Sequence, residues 1–357
     1  MTEFIWQLPN HRDARYGDAR LRKRGERLDG DAPSFTLGVS DPRGRAFNYL
    51  DYLHQIARAA ELTGFDGIYI ANHPDGEESW IVAGYLGRAT RKVRLITEFD
   101  AARGSAVYAA KNAASYQRFT NGRFDWRLSA VHDPRVRKAN ADQAEDEDLL
   151  PRIDEFLTVA KGVLREHPFS FRGRYFEVLD GGFEGPLGQQ PVPQVYLSGD
   201  TPQALALSAA HADVHILDAQ ATSSLQRAIE VLREHSSHRP TPLRLSLRVD
   251  LLARESQEEA EFDAQRVASQ LGESNPSGDD GLWPALGEPG VATLVGNYEQ
   301  VAARLAAYVE LGIDSFVLSA SPHLEEAYRV GENVLSRVRA LLQPGHDSND
   351  ASTPLLT

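Results

Sequence analysis

Short apolar runs alternate with amphipathic stretches along nearly the whole chain. The β-rich runs predict strands at Glu3–Leu8, Gly67–Ala71, Val93–Phe99, Phe124–Ala130, Val195–Ser198, Val214–Asp218, Leu243–Leu252 and Ser315–Ser319. Apolar positions at helical spacing predict helices over Phe47–Thr63, Glu77–Ala89, Val107–Phe119, Pro151–Glu166, Pro202–His211, Ser223–His235, Gln257–Leu271 and Tyr298–Leu311. A closing helix is expected over Leu324–Leu342. Strands that alternate with helices form parallel sheets, because a parallel neighbour needs a crossover that a helix supplies. Eight such units suit an α/β fold of the closed (β/α)₈ barrel type, a TIM barrel. A doubly wound sheet is the alternative, but no GxGxxG follows the first strand. With no linker to divide it, the chain reads as a single barrel over residues 1–343.

Three stretches interrupt the alternation. Residues 9–46 make a loop too long for a simple connector, and its HRDARYGDARLRKRGERLDG core is basic. Residues 167–194 read as a β-excursion, and residues 272–296, rich in Gly, Pro, Asp and Ser, as a lid-like loop. Both long loops are expected over the same end of the barrel. Residues 344–357 read as a disordered tail.

Composition narrows the function classes. The chain has 357 residues and no cysteine, which excludes disulfides, thiolate metal sites and a cysteine nucleophile. A net charge of −13 argues against a general nucleic-acid binder. No apolar run approaches the ~18 residues of a membrane span, and no leader pattern opens the chain, so a cytoplasmic enzyme is expected. No histidines and carboxylates stand at metal-ligand spacing, and no GxSxG elbow is present. Glu77–Glu78 and Glu325–Glu326 fall in first helical turns, where the helix dipole favours them.

Barrel active sites gather where strands end. Read in order, those ends offer His11, then Asn72 and His73, then Glu98, then Ser129, then Ser198 to Thr201, Asp218, Arg248 with Asp250, and His323. The sharpest local signal is VYLSGDTPQALALS. A strand ends in Ser198-Gly199, Asp200 follows, and Thr201 caps a helix with Pro202 at its first position. A helix start aimed into a barrel mouth suits a phosphate, although the Asp200 carboxylate works against one.

Toward the C-terminus, VATLVGNYEQVAARLAAYVELGIDSFVLSASPHLEEAYRVGE resembles the corresponding stretch of the alkanesulfonate monooxygenases, in the luciferase-like flavin monooxygenase superfamily. Upstream, LTGFDGIYIANHPDGEESW, AASYQRFTNGR and VPQVYLSGDTPQALALSAAHADVH match the same family in order. The resemblance implies a two-component monooxygenase. A separate flavin reductase would supply reduced FMN, and O2 would react through a flavin C4a-peroxide on a small organic substrate. It also implies a homo-oligomer, dimer or tetramer.

Carried over position by position, the resemblance makes Arg248, Asp250 and His323 the catalytic candidates. Ser198, Gly199, Asp200 and Thr201 occupy the family's phosphate loop and, with Ser129 and Asp218 from the strand ends, are the cofactor candidates. His11, Asn72, His73 and Glu98 from the strand ends, with Trp80 matching a family tryptophan, are the substrate-pocket candidates, and no metal is expected. Several family positions are changed here. The family cysteine aligns with Gly76, the histidine after the matched arginine with Asp250, and a tryptophan with Asp218. A tyrosine aligns with Ser321, and a lid arginine with Gly287. Two added carboxylates and one lost arginine disfavour a fixed anion, so a simple alkanesulfonate is not the expected substrate. Two alternatives stand beside this reading: a deazaflavin-dependent oxidoreductase of the same superfamily, and a non-catalytic barrel subunit of a heteromeric monooxygenase.

Overall fold

The structure, a computed structural model, describes residues 2–9, 49–73, 76–130, 132–271, 281–287 and 290–343. Eight parallel strands close into a barrel: β1 (Glu3–Leu8), β2 (Gly67–Ile70), β3 (Arg94–Asp100), β4 (Phe124–Ser129), β7 (Val195–Ser198), β8 (Val214–Asp218), β9 (Arg244–Arg254) and β12 (Ser315–Ser319). The closure is made by β8 pairing with β9, and by β12 lying between β9 and β1. The helices around them include α1 (Tyr49–Leu62), α2 (Ser79–Ala89), α3 (Ala106–Thr120), α5 (Leu149–Arg165) and α6 (Pro202–His211). These are followed by α7 (Thr222–His235), α8 (Gln257–Gln270), α9 (Tyr298–Glu310) and α10 (His323–Val330). The expected closing helix is α10, a π turn over Gly331–Leu335, and α11 (Ser336–Leu341). A short helix, α4 (Pro134–Ala139), follows β4. Among the described residues, no helix is long and apolar enough to cross a membrane.

The two-residue period of strands sorts the core into two parts. Phe4, Trp6, Ile68, Leu95, Phe124, Trp126, Leu197, Leu247, Val249 and Phe316 point outward and bury against the helices. The intervening residues fill the barrel in layers. At the floor, Arg94 makes a two-pronged bond to Asp125 at 2.6 Å for each prong, while Arg244 reaches Glu3 at 3.2 Å and Gln194 at 2.5 Å. Above the floor, Ile5, Ile96, Tyr196, Val214, Ile216 and Val317 form an apolar plug. The polar mouth lies above the plug, so the plug sets the depth to which a ligand can enter.

The excursion at 167–194 contains an antiparallel pair, β5 (Phe169–Arg172) with β6 (Glu177–Gly181). The described part of 272–296 differs from the expected loop. It contains β10 (Leu282–Trp283), and β11 (Thr293–Asn297) begins within it. The cause is β9, which runs past the barrel. Its far half, Asp250 to Arg254, finds a new parallel neighbour in β11, and β10 pairs antiparallel with β11. Leu252, Trp283, Leu286 and Val295 then bury against Ala260, Ala264 and Ala268 of α8. This small sheet extends from the C-terminal end of β9 and so sits at the mouth side of the barrel. His11, residues 10–46 of the basic loop, the remainder of the expected lid (272–280, 288 and 289) and the tail 344–357 lie outside the described residues.

Candidate active site

The polar mouth is built from inward positions at the C-terminal ends of the strands. Tyr69 of β2, Arg127 of β4, Ser198 of β7, Asp218 of β8 and Arg248 of β9 converge, with Ile216 and Val317 beneath them, on a cavity of about 30 Å³. Each faces inward because its strand neighbours face outward. Arg127 lies between Trp126 and Leu128, and Arg248 between Leu247 and Val249, all four in the sheet–helix core.

Arg248 donates from Nε to Asp218 Oδ1 at 2.7 Å. Burial works against the Arg248 charge, but the bond to Asp218 and that carboxylate's field outweigh it and hold the guanidinium above its ordinary range. Tyr69 donates its hydroxyl to Glu98 Oε2 at 2.9 Å, and the Asn72 backbone N–H donates to the same oxygen at 3.1 Å. Burial, then the Glu98 charge, pushes the Tyr69 phenol well up, so it remains a neutral donor. Arg127 donates to Ser198 Oγ at 2.6 Å and to the Leu128 carbonyl. Its Nε is buried and has no acceptor.

Of the residues singled out from sequence, Ser198, Asp218 and Arg248 share this cavity, and Glu98 and Asn72 join it through Tyr69. Ser129, one inward position beyond Arg127, is half-buried at the mouth, and His73 follows Asn72 at the end of β2. Gly199 has φ +118°, which glycine adopts freely, and a Cβ there would come within 2.8 Å of the Ala204 methyl. Thr201 caps α6 as expected, accepting from the Ala204 N–H at 3.2 Å, and Asp200 is exposed.

Three candidates are placed elsewhere. Asp250 is 2% exposed, accepts a hydrogen bond from Ser319, and has its Oδ2 where a Gly287 side chain would start. His323 opens α10 with its ring edge-on to Trp6 at 6.2 Å, on the helix side of β1. Trp80 packs among Phe99, Tyr116 and Phe124 in the helix layer, beside a separate cavity of about 360 Å³. The expectation that Trp80 lines the barrel pocket is thereby corrected: it is the second residue of α2, and that face turns toward α3 and the outer side of the sheet. Arg127 and Tyr69 were absent from the sequence candidates. The legible signal for Arg127 was FDWRLS, where charged residues alternate with large apolar ones in a strand.

A closed barrel with a polar mouth at its strand ends defines a small-molecule enzyme of the TIM-barrel class. Residues 32–315 match the luciferase-like monooxygenase family, and the chain belongs to that family of flavin-dependent oxidoreductases. Its fold is similar to that of EDTA monooxygenase from Chelativorans sp. BNC1, with 15% identity and TM-score 0.72 over 95% of this chain and 94% of that one. It is also similar to a riboflavin lyase solved with modified FMN and riboflavin, with 17% identity and TM-score 0.74 over 96% and 92%. A coenzyme F420-dependent tetrahydromethanopterin reductase from Methanopyrus kandleri shares the fold, with 14% identity and TM-score 0.65 over 82% and 96%.

Proposed function

We propose that this chain is the oxygenating component of a two-component monooxygenase. It takes reduced FMN from a separate flavin reductase and uses O2 on a small organic substrate. The observation that carries this reading is the polar mouth over an apolar plug, with one guanidinium donor, Arg127 Nε, left without an acceptor. An orphaned cationic donor at a barrel mouth fits an electron-rich cofactor edge. Gly199 to Thr201 at the start of α6, with Ser129, would hold the phosphate end, Ser198 being turned to Arg127, and bound reduced flavin would supply the activation of oxygen. Tyr69, fixed by Glu98, would offer neighbouring substrate or cofactor atoms a hydroxyl, while the plug beneath keeps water from below. As proposed, residues 1–343 act as one cytoplasmic barrel, assembled as a homodimer or homotetramer. The F420-dependent relative favours a second reading, hydride transfer with a deazaflavin in the same mouth.

A simple alkanesulfonate is not the proposed substrate. Asp218 already holds the Arg248 guanidinium at 2.7 Å and sets a carboxylate beside any anion that approaches it. Coupled to a flavin reductase and octanesulfonate, the wild-type chain is expected to release no more sulfite than the reductase alone. Asp218→Trp, which frees Arg248, is expected to release more. Efficient sulfite release by the wild type would contradict the assignment and return the chain to ordinary desulfonation. Oxygen-dependent turnover of any substrate by the isolated chain rules out a non-catalytic subunit.

A further inference from the structure

Four arginines point into the barrel among the described residues, and three have carboxylate partners. Arg94 holds Asp125, Arg244 holds Glu3, and Arg248 holds Asp218. Arg127 has none. Glu98, its partner in the β3–β4 register, already accepts from Tyr69 and from the Asn72 N–H. Arg127 instead spends its terminal nitrogens on Ser198 and on the Leu128 carbonyl, and its Nε is buried without an acceptor. Native folds seldom leave a buried charged donor unmatched, and such a group is a marker of function when it faces a cavity.

Among the residues that line the cavity, Arg248 and Asp218 pair, leaving the Arg127 charge beside the neutral Tyr69 and Ser198, while the Glu98 carboxylate stands behind Tyr69, bonded to its hydroxyl. The cavity's volume is about 30 Å³, room for roughly two or three water-sized groups. That admits the edge of a planar group with one or two acceptor atoms.

We infer that Arg127 is the anion-receiving residue of this mouth, binding a planar acceptor edge that carries negative charge. Two carriers have that chemistry: the anionic nitrogen–carbonyl edge of a reduced flavin ring, and a carboxylate on the substrate. The first deepens the proposed function, whereas the second does not depend on it. The bond to Ser198 then orients the guanidinium at the cavity wall.

Arg127→Gln keeps a donor for Ser198 and removes the charge, and Arg127→Lys keeps the charge. Both variants are compared with the wild type in anaerobic titrations with reduced and oxidised FMN, and in thermal shift with hexanoate against hexanamide. If the flavin is the carrier, Arg127→Gln weakens reduced FMN about ten-fold or more, as loss of a charge-assisted bond implies. Oxidised FMN then changes little, and Arg127→Lys retains most of the affinity. If the substrate is the carrier, reduced FMN is unaffected and the variant loses the stabilisation that hexanoate gives the wild type. A wild type that binds no flavin removes the proposed function, and the hexanoate arm still decides the role of Arg127. Unchanged binding of every probe by Arg127→Gln overturns the inference. If Arg127→Gln does not fold, wild-type affinity in the Lys variant supports the role of charge, and equal loss for both FMN forms overturns it.

Discussion

Replacing Asp125 by alanine is expected to cost about 3–5 kcal/mol of folding stability, the usual loss when one partner of a buried ion pair is removed. Asp125 is fully buried at the barrel floor. Its two oxygens take both prongs of Arg94 at 2.6 Å, and Oδ1 also accepts the Gln194 N–H at 3.0 Å. Alanine would strand the Arg94 guanidinium and the Gln194 N–H together, in a position where β4 meets β3 and β7. Asp125→Asn keeps an acceptor for Gln194 and should cost less. The pair Arg94→Met with Asp125→Leu removes both charges and should recover much of the loss, since apolar replacements of buried pairs are often neutral. Urea unfolding measures all three. A loss below about 1 kcal/mol for Asp125→Ala would mean that the floor network is not stabilised by this pair.

Acid is expected to weaken the fold through His215. This residue of β8 is 1% exposed and turns outward, its Nδ1 2.9 Å from Ser208 Oγ on α6. Burial, with a smaller contribution from the Arg127 charge, pulls its pKa down from 6.5 to about 4. The fold therefore holds the neutral ring, while the unfolded chain takes up a proton near 6.5. Stability is fully present above that value and is lost as pH falls from about 6.5 toward 4, where the folded state also becomes protonated. Between pH 7 and 4.5 the loss amounts to about 2–3 kcal/mol. Urea unfolding of the wild type and of His215→Gln at both pH values isolates it, because the variant lacks this titration. Equal pH dependence in the two proteins would show that His215 is not held neutral.

The barrel was legible because its strands carry a clear inside and outside. In FDWRLS, large apolar residues bury against helices at every second position, and the same holds along GIYI and SLRVDLL. The far half of β9 was less legible, since LLAR continues an apolar strand without showing where the barrel ends. Its partner β11 contains Gly296 and follows a Gly-Pro-rich stretch, which reads as loop until β9 offers it a free edge. At the mouth, Ser198, Asp218 and Arg248 could be reached by counting to strand ends. Arg127 could not, because it sits one inward position below the end of β4 and its significance depends on which carboxylates are already taken. His323 falls beside a strand end in sequence, and Trp80 matches a family tryptophan, yet both begin helices that turn their side chains to the outer layer.

The central claim is that this mouth is made for reduced FMN, and anaerobic fluorescence titration of the isolated chain tests it most directly. The titrants are reduced FMN, oxidised FMN and a reduced deazaflavin of the F420 type. The account predicts that reduced FMN binds tightest, about ten-fold or more over the oxidised form, the difference expected of a charge-assisted contact. Preference for the deazaflavin, or oxidised FMN bound as tightly as reduced, would contradict it.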